Sequence, residues 1–268
     1  MIGSDPDIVA ALRAAGCVFA EDEAALLSEA ASTPAELHAL VTQRTSGIPL
    51  EHLLGWAEFR GLRVAVEPGV FVPRQRTGFL VEQAVALGSR PPGDPRVVLD
   101  LCCGCGALGL AVVTELARAG VRARLTASDI EPAAVSCARR NLAPLDARVY
   151  EGDLFAPLPA QLAGRVDLLL ANTPYVPTAR ITGMPPEARE HEPISALDGG
   201  ADGLDVVRRV AAAAPSWLAP GGHLLVESSE EQAPVAVDVF ARAGLTPRVV
   251  ESEELYATVV IGSRPDRS

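Results

Sequence analysis

The chain has 268 residues, 49% of them hydrophobic, which is enough for one large domain and a smaller one with a substantial core. No apolar run approaches the roughly 20 residues that a membrane-crossing helix needs. The formal charge of −11 disfavours broad nucleic-acid binding, whose affinity comes from neutralising phosphates, and suits protein or small-molecule partners better.

All 23 basic residues are Arg, and no basic run stands out. The opening stretch, Met1 to Asp7, is acidic and lacks the basic and apolar regions of a signal peptide, so a cytoplasmic protein is expected. Five cysteines, at 17, 102, 103, 105 and 137, do not make a secreted disulfide framework. The run Cys102-Cys103-x-Cys105 invites a metal reading. Adjacent cysteines project differently, however, and no Cys-x-x-Cys pair or nearby His completes a tetrahedral set. No metal is expected; Cys serves there as a small apolar side chain.

In chain order, residues 1 to about 55 read as a small helical bundle. Ile8-Val9-x-x-Leu12 and Ala24-Ala25-Leu26-Leu27 recur at helical spacing, and Thr33-Pro34-Ala35-Glu36 has an N-cap followed by Pro at the first helical position. Glu58 to Val66 alternates around Gly61 as a β-hairpin would, and Pro68-Gly69 marks a turn. The expected organisation is a helical domain at 1–55, a hairpin linker at 56–78, and a larger domain at 79–268.

From about 95 onward strands and helices alternate. Strands are expected at 97–101, 123–128, 147–150, 166–171, 223–228, 247–251 and 256–262. Helices are expected at 106–119, 132–142, 202–217 and 231–243. Strands separated by such helices form right-handed βαβ units and a mostly parallel sheet covered on both faces. No helix separates the last two strands, which predicts an antiparallel pair and one reversed edge strand. The fold class is α/β, a Rossmann-like seven-stranded sheet of the class I S-adenosylmethionine-dependent methyltransferase type, preceded by the helical domain and the hairpin.

In such sheets ligands lie beyond the carboxyl ends of the strands, where the strand order switches. The first strand runs into Asp100-Leu101-Cys102-Cys103-Gly104-Cys105-Gly106. Gly104 and Gly106 let the backbone approach a ligand, the following helix offers free N–H groups to a carboxylate, and Asp100 suits an ammonium group. Asp129 ends the second strand, where an acid accepts hydrogens from both ribose hydroxyls; its plain alternative is a cap for the helix opening at Pro132. Asp153, with Leu154 beside it, follows the third strand and suits an adenine amino group.

These features serve NAD and S-adenosylmethionine almost equally. The fourth strand decides, because it ends in Asn172-Thr173-Pro174-Tyr175. An amide nitrogen is a poor nucleophile because its lone pair is delocalised into the carbonyl. Hydrogen bonds from its NH2 group to the Asn172 side-chain oxygen and to a main-chain carbonyl would orient it, with Tyr175 as a wall and Pro174 stiffening the turn. The plain alternative is an Asx-type turn ending a strand.

At this point the chain resembles the HemK/PrmC-like protein-(glutamine-N5) methyltransferases, which modify peptide-chain release factors. The resemblance covers nearly the whole sequence. Pro49-Leu50-Glu51-His52-Leu53-Leu54-Gly55 and Glu58-Phe59-x-Gly61-Leu62 are similar to the family's linker, and Pro68 to Arg74 resembles the segment preceding its catalytic domain. The run from Glu192-Pro193 through Ala196-Leu197-Asp198-Gly199-Gly200 to Asp202-Gly203-Leu204-Asp205 resembles its most distinctive stretch. The resemblance implies S-adenosylmethionine bound around Cys102, Cys103, Gly104, Cys105 and Gly106, Asp129 and Asp153-Leu154. It also implies a glutamine amide held at Asn172 to Tyr175, with Asn172 shared between the two groups, and a release factor or similar translation protein as partner.

Three positions depart from the family pattern. Thr173 replaces the first Pro of Asn-Pro-Pro-Tyr, which keeps a main-chain carbonyl and adds a hydroxyl. Cys102 stands where Gly is usual, so its backbone is expected to avoid glycine-only angles. Gln75-Arg76-Thr77-Gly78 replaces a Pro-acid-Thr-Glu run, which exchanges acids for a cation and points to a changed protein substrate. Arg76 is read either as a contact for an acidic partner or as a solvated surface residue. Two other functions remain open: methylation of a nucleobase amino group, and non-catalytic cofactor binding.

Overall fold

The computed structural model describes residues 6–89 and 93–266, so Met1 to Asp5, most of the stretch read above as lacking a signal peptide, lie outside the described residues. Four helices come first: α1 (Pro6–Ala14), α2 (Ala20–Ala30), α3 (Pro34–Thr45) and α4 (Leu50–Leu54). They close on Leu12, Ala20, Ala24 and Leu27, with Leu37, Leu40, Val41 and Leu53 packed against them. The Thr33 cap is present: Thr33 Oγ1 accepts from the Glu36 amide at 3.2 Å, and the Glu36 carboxylate accepts from the Ser32 amide at 2.7 Å. Buried Arg44 on α3 ties the bundle together through Glu23 (2.6 Å).

A hairpin of β1 (Trp56–Phe59) and β2 (Leu62–Ala65) follows, turning through Arg60 (φ +53) and Gly61 (φ +69). Two positive φ values in a two-residue loop match the twist of the flanking strands. The α/β part then runs α5 (Gly78–Gly88), β3 (Arg96–Leu101), α6 (Ala107–Arg118), β4 (Ala123–Asp129), α7 (Pro132–Leu142), β5 (Arg148–Glu151) and β6 (Val166–Ala171). After β6 come two short helices, α8 (Pro186–His191) and α9 (Ile194–Leu197). The chain ends with α10 (Asp205–Trp217), β7 (Leu218–Ser228), α11 (Ala233–Arg242), β8 (Thr246–Ser252) and β9 (Ala257–Ser263).

The sheet order is β5-β4-β3-β6-β7-β9-β8. Both faces are covered, and alternation along β6 makes the point: Leu168 and Leu170 pack into the cluster under α5, α6 and α7, whereas Leu169 and Ala171 pack under α10 and α11. The seven strands and the antiparallel β8–β9 pair are as expected, but the reversed strand is not at the edge. β9 pairs antiparallel with both β7 and β8, leaving β8 outermost. With no crossover helix after β8, the chain can only turn back, and β9 fills the slot beside β7. The expected helix at 202–217 begins at Asp205 instead, because residues 199–204 are used to brace a loop, as described next.

Candidate active site

Winding reverses between β3 and β6, the position where ligand crevices form in open α/β sheets. The turn after β3 and the loop after β6 therefore stand side by side. Cys103 donates its amide to the Ser128 carbonyl of β4 (3.1 Å), and Gly106 donates to Cys103 (2.8 Å). Gly104 (φ +54) has nothing within 4 Å of where a Cβ would sit, so only its backbone angle favours glycine. Gly106 (φ +81) is also crowded by Leu142 at 3.1 Å. Cys102 does not avoid left-handed angles as expected: its φ is +53. The position after β3 demands that turn, and a non-glycine residue meets it at a cost of about 1 kcal/mol. Burial pushes the three thiols of the turn upward, Cys105 to about 12, so they are neutral packing groups.

Asp100 is fully buried. Its Oδ2 accepts from the Gly109 amide at 2.9 Å while Oδ1 has no partner. Burial, with Asp129 adding repulsion, raises its carboxyl to about 7. Asp129 accepts from the amides of Gly104 (2.8 Å) and Glu131 (2.9 Å). It holds the turn after β3 and makes an Asx turn; it does not cap α7, whose N-cap is Glu131. Asp153 is paired with Arg209 of α10, a residue no sequence signal marked. Leu154 has φ +48, and Ser128 Oγ donates to its carbonyl at 3.0 Å.

Asn172 to Tyr175 leave the carboxyl end of β6, and the family-like run at 192–205 clasps them. Val176 donates to the Leu197 carbonyl (3.0 Å), Gly199 to Val176 (2.9 Å) and Thr178 to Gly200 (2.9 Å). Gln232 Nε2 donates to the carbonyls of Tyr175 (2.8 Å) and Asp202 (2.9 Å). The glycines are required by contact: a Cβ at Gly199 would lie 2.7 Å from the Pro174 oxygen, and one at Gly203 would lie 2.2 Å from the Tyr175 oxygen. Sequence reasoning missed Gln232 and Glu227; the latter ends the apolar run Leu224-Leu225-Val226 at the same sheet edge, a signal like that of Asp100.

The segment before α5 forms the far wall. Glu192 takes both of its oxygens to Arg74 (2.7 Å each) and one to the Val72 amide (3.2 Å). The two stretches that carry the resemblance are thus joined by one ion pair. Arg76 lies at the surface, its side chain 43% exposed, as one of the two readings had it, but its guanidinium is engaged within the fold rather than offered to an outside partner. It pairs with buried Glu227 at 3.0 Å and bonds the Tyr175 hydroxyl. Gly78 leaves room for Arg60, whose Cδ would be 3.0 Å from a Cβ there, to reach Glu82 and Glu115.

One cavity of about 220 Å³ joins these parts, lined by the turn after β3, Asp100, Asp129, Asp153, Leu154 and Asn172 to Tyr175, with Phe59, Phe71, Pro73 and Thr77 opposite. Ser195 bridges its mouth, donating to Glu131 at 2.5 Å. Among the described residues, three buried side-chain polar atoms have no partner: Asp100 Oδ1, Asn172 Oδ1 and Thr173 Oγ1. All three belong to residues lining this cavity. Unsatisfied buried polar atoms are rare and costly, so their grouping marks a place built for a polar ligand.

Residues 62–183 match the family model described as the methyltransferase small domain. The release factor glutamine methyltransferase of Geobacter sulfurreducens is 39% identical over 236 residues, 86% of this chain and 79% of that protein. The protein of that name from Mycolicibacterium smegmatis is 42% identical over 206 residues, 76% and 70% of the two chains. Solved structures share the fold at lower identity. The T. thermophilus 16S rRNA N2 G1207 methyltransferase, in complex with AdoMet and guanosine, aligns with TM-score 0.53 and 20% identity over 78% of this chain and 49% of that one. A methyltransferase from Pyrococcus furiosus aligns with TM-score 0.53 and 15% identity over 76% and 90%. With relatives this similar over most of both chains, this protein belongs to the release factor glutamine methyltransferase family.

Proposed function

We propose that this protein methylates the side-chain amide nitrogen of a glutamine in a peptide-chain release factor, in the cytoplasm, using S-adenosylmethionine. The observation that carries the reading is the unpartnered, buried Asn172 carbonyl oxygen in one cavity with the glycine turn and Asp100. An oxygen in that state accepts an N–H hydrogen from an acceptor amide. The net charge of −11 favours a protein over a nucleobase acceptor.

The residues present fit the cofactor. Asp100 Oδ1 would take its ammonium group, the turn from Cys102 to Gly106 its carboxylate, and Asp129 its ribose hydroxyls. Asp153 keeps one oxygen outside its Arg209 pair for the adenine amino group, with Leu154 against the ring. When bound, S-adenosylmethionine supplies a methyl group on a positively charged sulfur and leaves as S-adenosylhomocysteine. The protein's own share is alignment. Asn172 and a main-chain carbonyl of the loop fix the amide plane, Tyr175 and Phe71 exclude water, and the displaced N–H proton passes to solvent. Orientation of this kind contributes on the order of 7–11 kcal/mol in well-aligned cases, so no strong base is called for.

Incubating the protein with S-adenosylmethionine and a purified release factor should add one methyl mass to a glutamine, read by peptide mass spectrometry. Asn172→Ala should abolish it. Labelling of nucleic acid alone would overturn the reading.

The helical bundle serves, in this reading, as the recognition domain for the acceptor. Its tip exposes Val18 (82%) and Phe19 (68%), and Arg44 reaches Glu187 of α8 at 3.5 Å, so the bundle touches the segment between the loop after β6 and α9. Grafting residues 1–60 onto a relative should shift which release factor is methylated; unchanged preference would refute this role.

A further inference from the structure

An ion pair stands beside the acceptor end of the cavity without lining it. Arg76, in the 3-10 turn Gln75–Thr77, donates Nη2 to the Tyr175 hydroxyl and Nε to Glu227 Oε1 at 3.0 Å. Glu227, buried at the end of β7, also accepts from Thr77 Oγ1 at 2.5 Å. Tyr175 is thereby held twice, its carbonyl by Gln232 and its hydroxyl by Arg76. Between those two clamps the tyrosine lines the cavity; Arg76 does not. The opposite wall is built the same way: Arg74, stacked 4.9 Å over Phe71, is fastened to the buried Glu192 side chain.

We infer that Arg76 is a positioning residue for the methyl transfer: by fastening the Tyr175 hydroxyl to buried Glu227, it sets the plane of the ring that walls the acceptor amide. This rests on reading residues 172–175 as the acceptor site. A planar guanidinium suits the task because one fork serves two partners in fixed directions, which a lysine ammonium does not do. Thr77 keeps Glu227 in place but does not reach the phenol, so removing Arg76 frees the hydroxyl and lets the ring swing. A misplacement near 1 Å is enough to slow an alignment-dependent step about 100-fold.

The test combines kinetics on a purified release factor with a measurement that needs no acceptor. Arg76→Met should lower kcat at least tenfold while calorimetric cofactor Kd stays within twofold, and Arg76→Lys should recover only part of the loss. If Arg76 acts through Tyr175, the Arg76→Met/Tyr175→Phe double variant should be no slower than the slower single variant. A kcat within twofold of wild type for Arg76→Met, or losses that multiply in the double variant, overturns the inference. Separately, tyrosine carrying 13C at Cζ gives three signals, one per tyrosine, with Tyr175 assigned by its loss in Tyr175→Phe. Arg76→Met should move the Tyr175 signal and leave Tyr150 and Tyr256 unmoved; an unmoved Tyr175 signal refutes the contact. Wild-type protein that methylates no release factor would instead overturn the acceptor reading, and the 13C signal then decides the role of Arg76 alone.

Discussion

Asp100 offers a direct measure of how much stability the fold gives up to place a carboxyl in the cavity. The carboxyl is fully buried, has one backbone donor for two oxygens, and titrates near 7 in the folded chain against an ordinary 3.8. A folded pKa raised in this way means that folding takes up a proton between those values. Its favourable contribution is fully present below pH 3.8 and is lost as pH rises, with the loss complete once pH passes about 7. At about 1.4 kcal/mol for each tenfold, the ionised carboxylate costs the ligand-free protein about 4 kcal/mol at pH 8. Asp100→Asn keeps the shape and the Gly109 bond and cannot ionise. Urea unfolding followed by fluorescence of the two tryptophans should show the variant gaining on wild type by about 1.4 kcal/mol per pH step between 4 and 7, then levelling. The same substitution should weaken S-adenosylmethionine binding by calorimetry roughly 10- to 100-fold, the value of one charge-assisted hydrogen bond. A variant no more stable than wild type at pH 8 would refute the reasoning, as would a difference that does not change with pH.

Two further substitutions test the loop after β6. Gly203→Ala places a Cβ 2.2 Å from the Tyr175 carbonyl at φ +80, so it should cost at least about 2 kcal/mol in urea unfolding and lower methyl transfer; a silent substitution would refute the bracing role of residues 199–205. Thr173→Val removes a buried hydroxyl that has no partner and keeps the branched shape, so the ligand-free protein should gain about 1 kcal/mol and melt about 2 °C higher; a lower melting temperature would show that the hydroxyl has a partner after all.

The strands and their order of types were legible because apolar runs such as Leu168-Leu169-Leu170 sit between helical stretches, and a strand buried on both faces needs no polar alternation. The hairpin was legible from Gly61, and α3 from Thr33-Pro34. What lay outside local pattern was pairing. Nothing in residues 246–263 says that β9 lies between β7 and β8, because that choice is made by β7, some 20 residues away in sequence. The site divides in the same way. Asp100, Asp129 and Asn172 each end a strand at the carboxyl edge, where spacing alone marks them. Arg209, Gln232 and Glu227 reach the site from elements that follow the motifs, and a lone Arg or Gln on a helix carries no signal. The surface position of Arg76 was legible but its partner was not, because Glu227 is 151 positions away.

Departures from the family motif are accommodated by contacts that do the same mechanical work. A second proline before Pro174 would stiffen the exit from β6 by fixing φ; with Thr173 there, the loop is still held by the close approach of Gly199 and Gly203 and by Gln232 at the carbonyls of Pro174 and Tyr175. Thr173 keeps a backbone carbonyl, which is all that the proposed acceptor reading asks of this residue. Likewise the cation at position 76 adds no free charge at the mouth of the cavity, since Glu227 neutralises it within the fold. Changing the acceptor should accordingly require changing residues outside the cavity, while changing residues 76, 172 or 175 should alter rate on whatever acceptor docks.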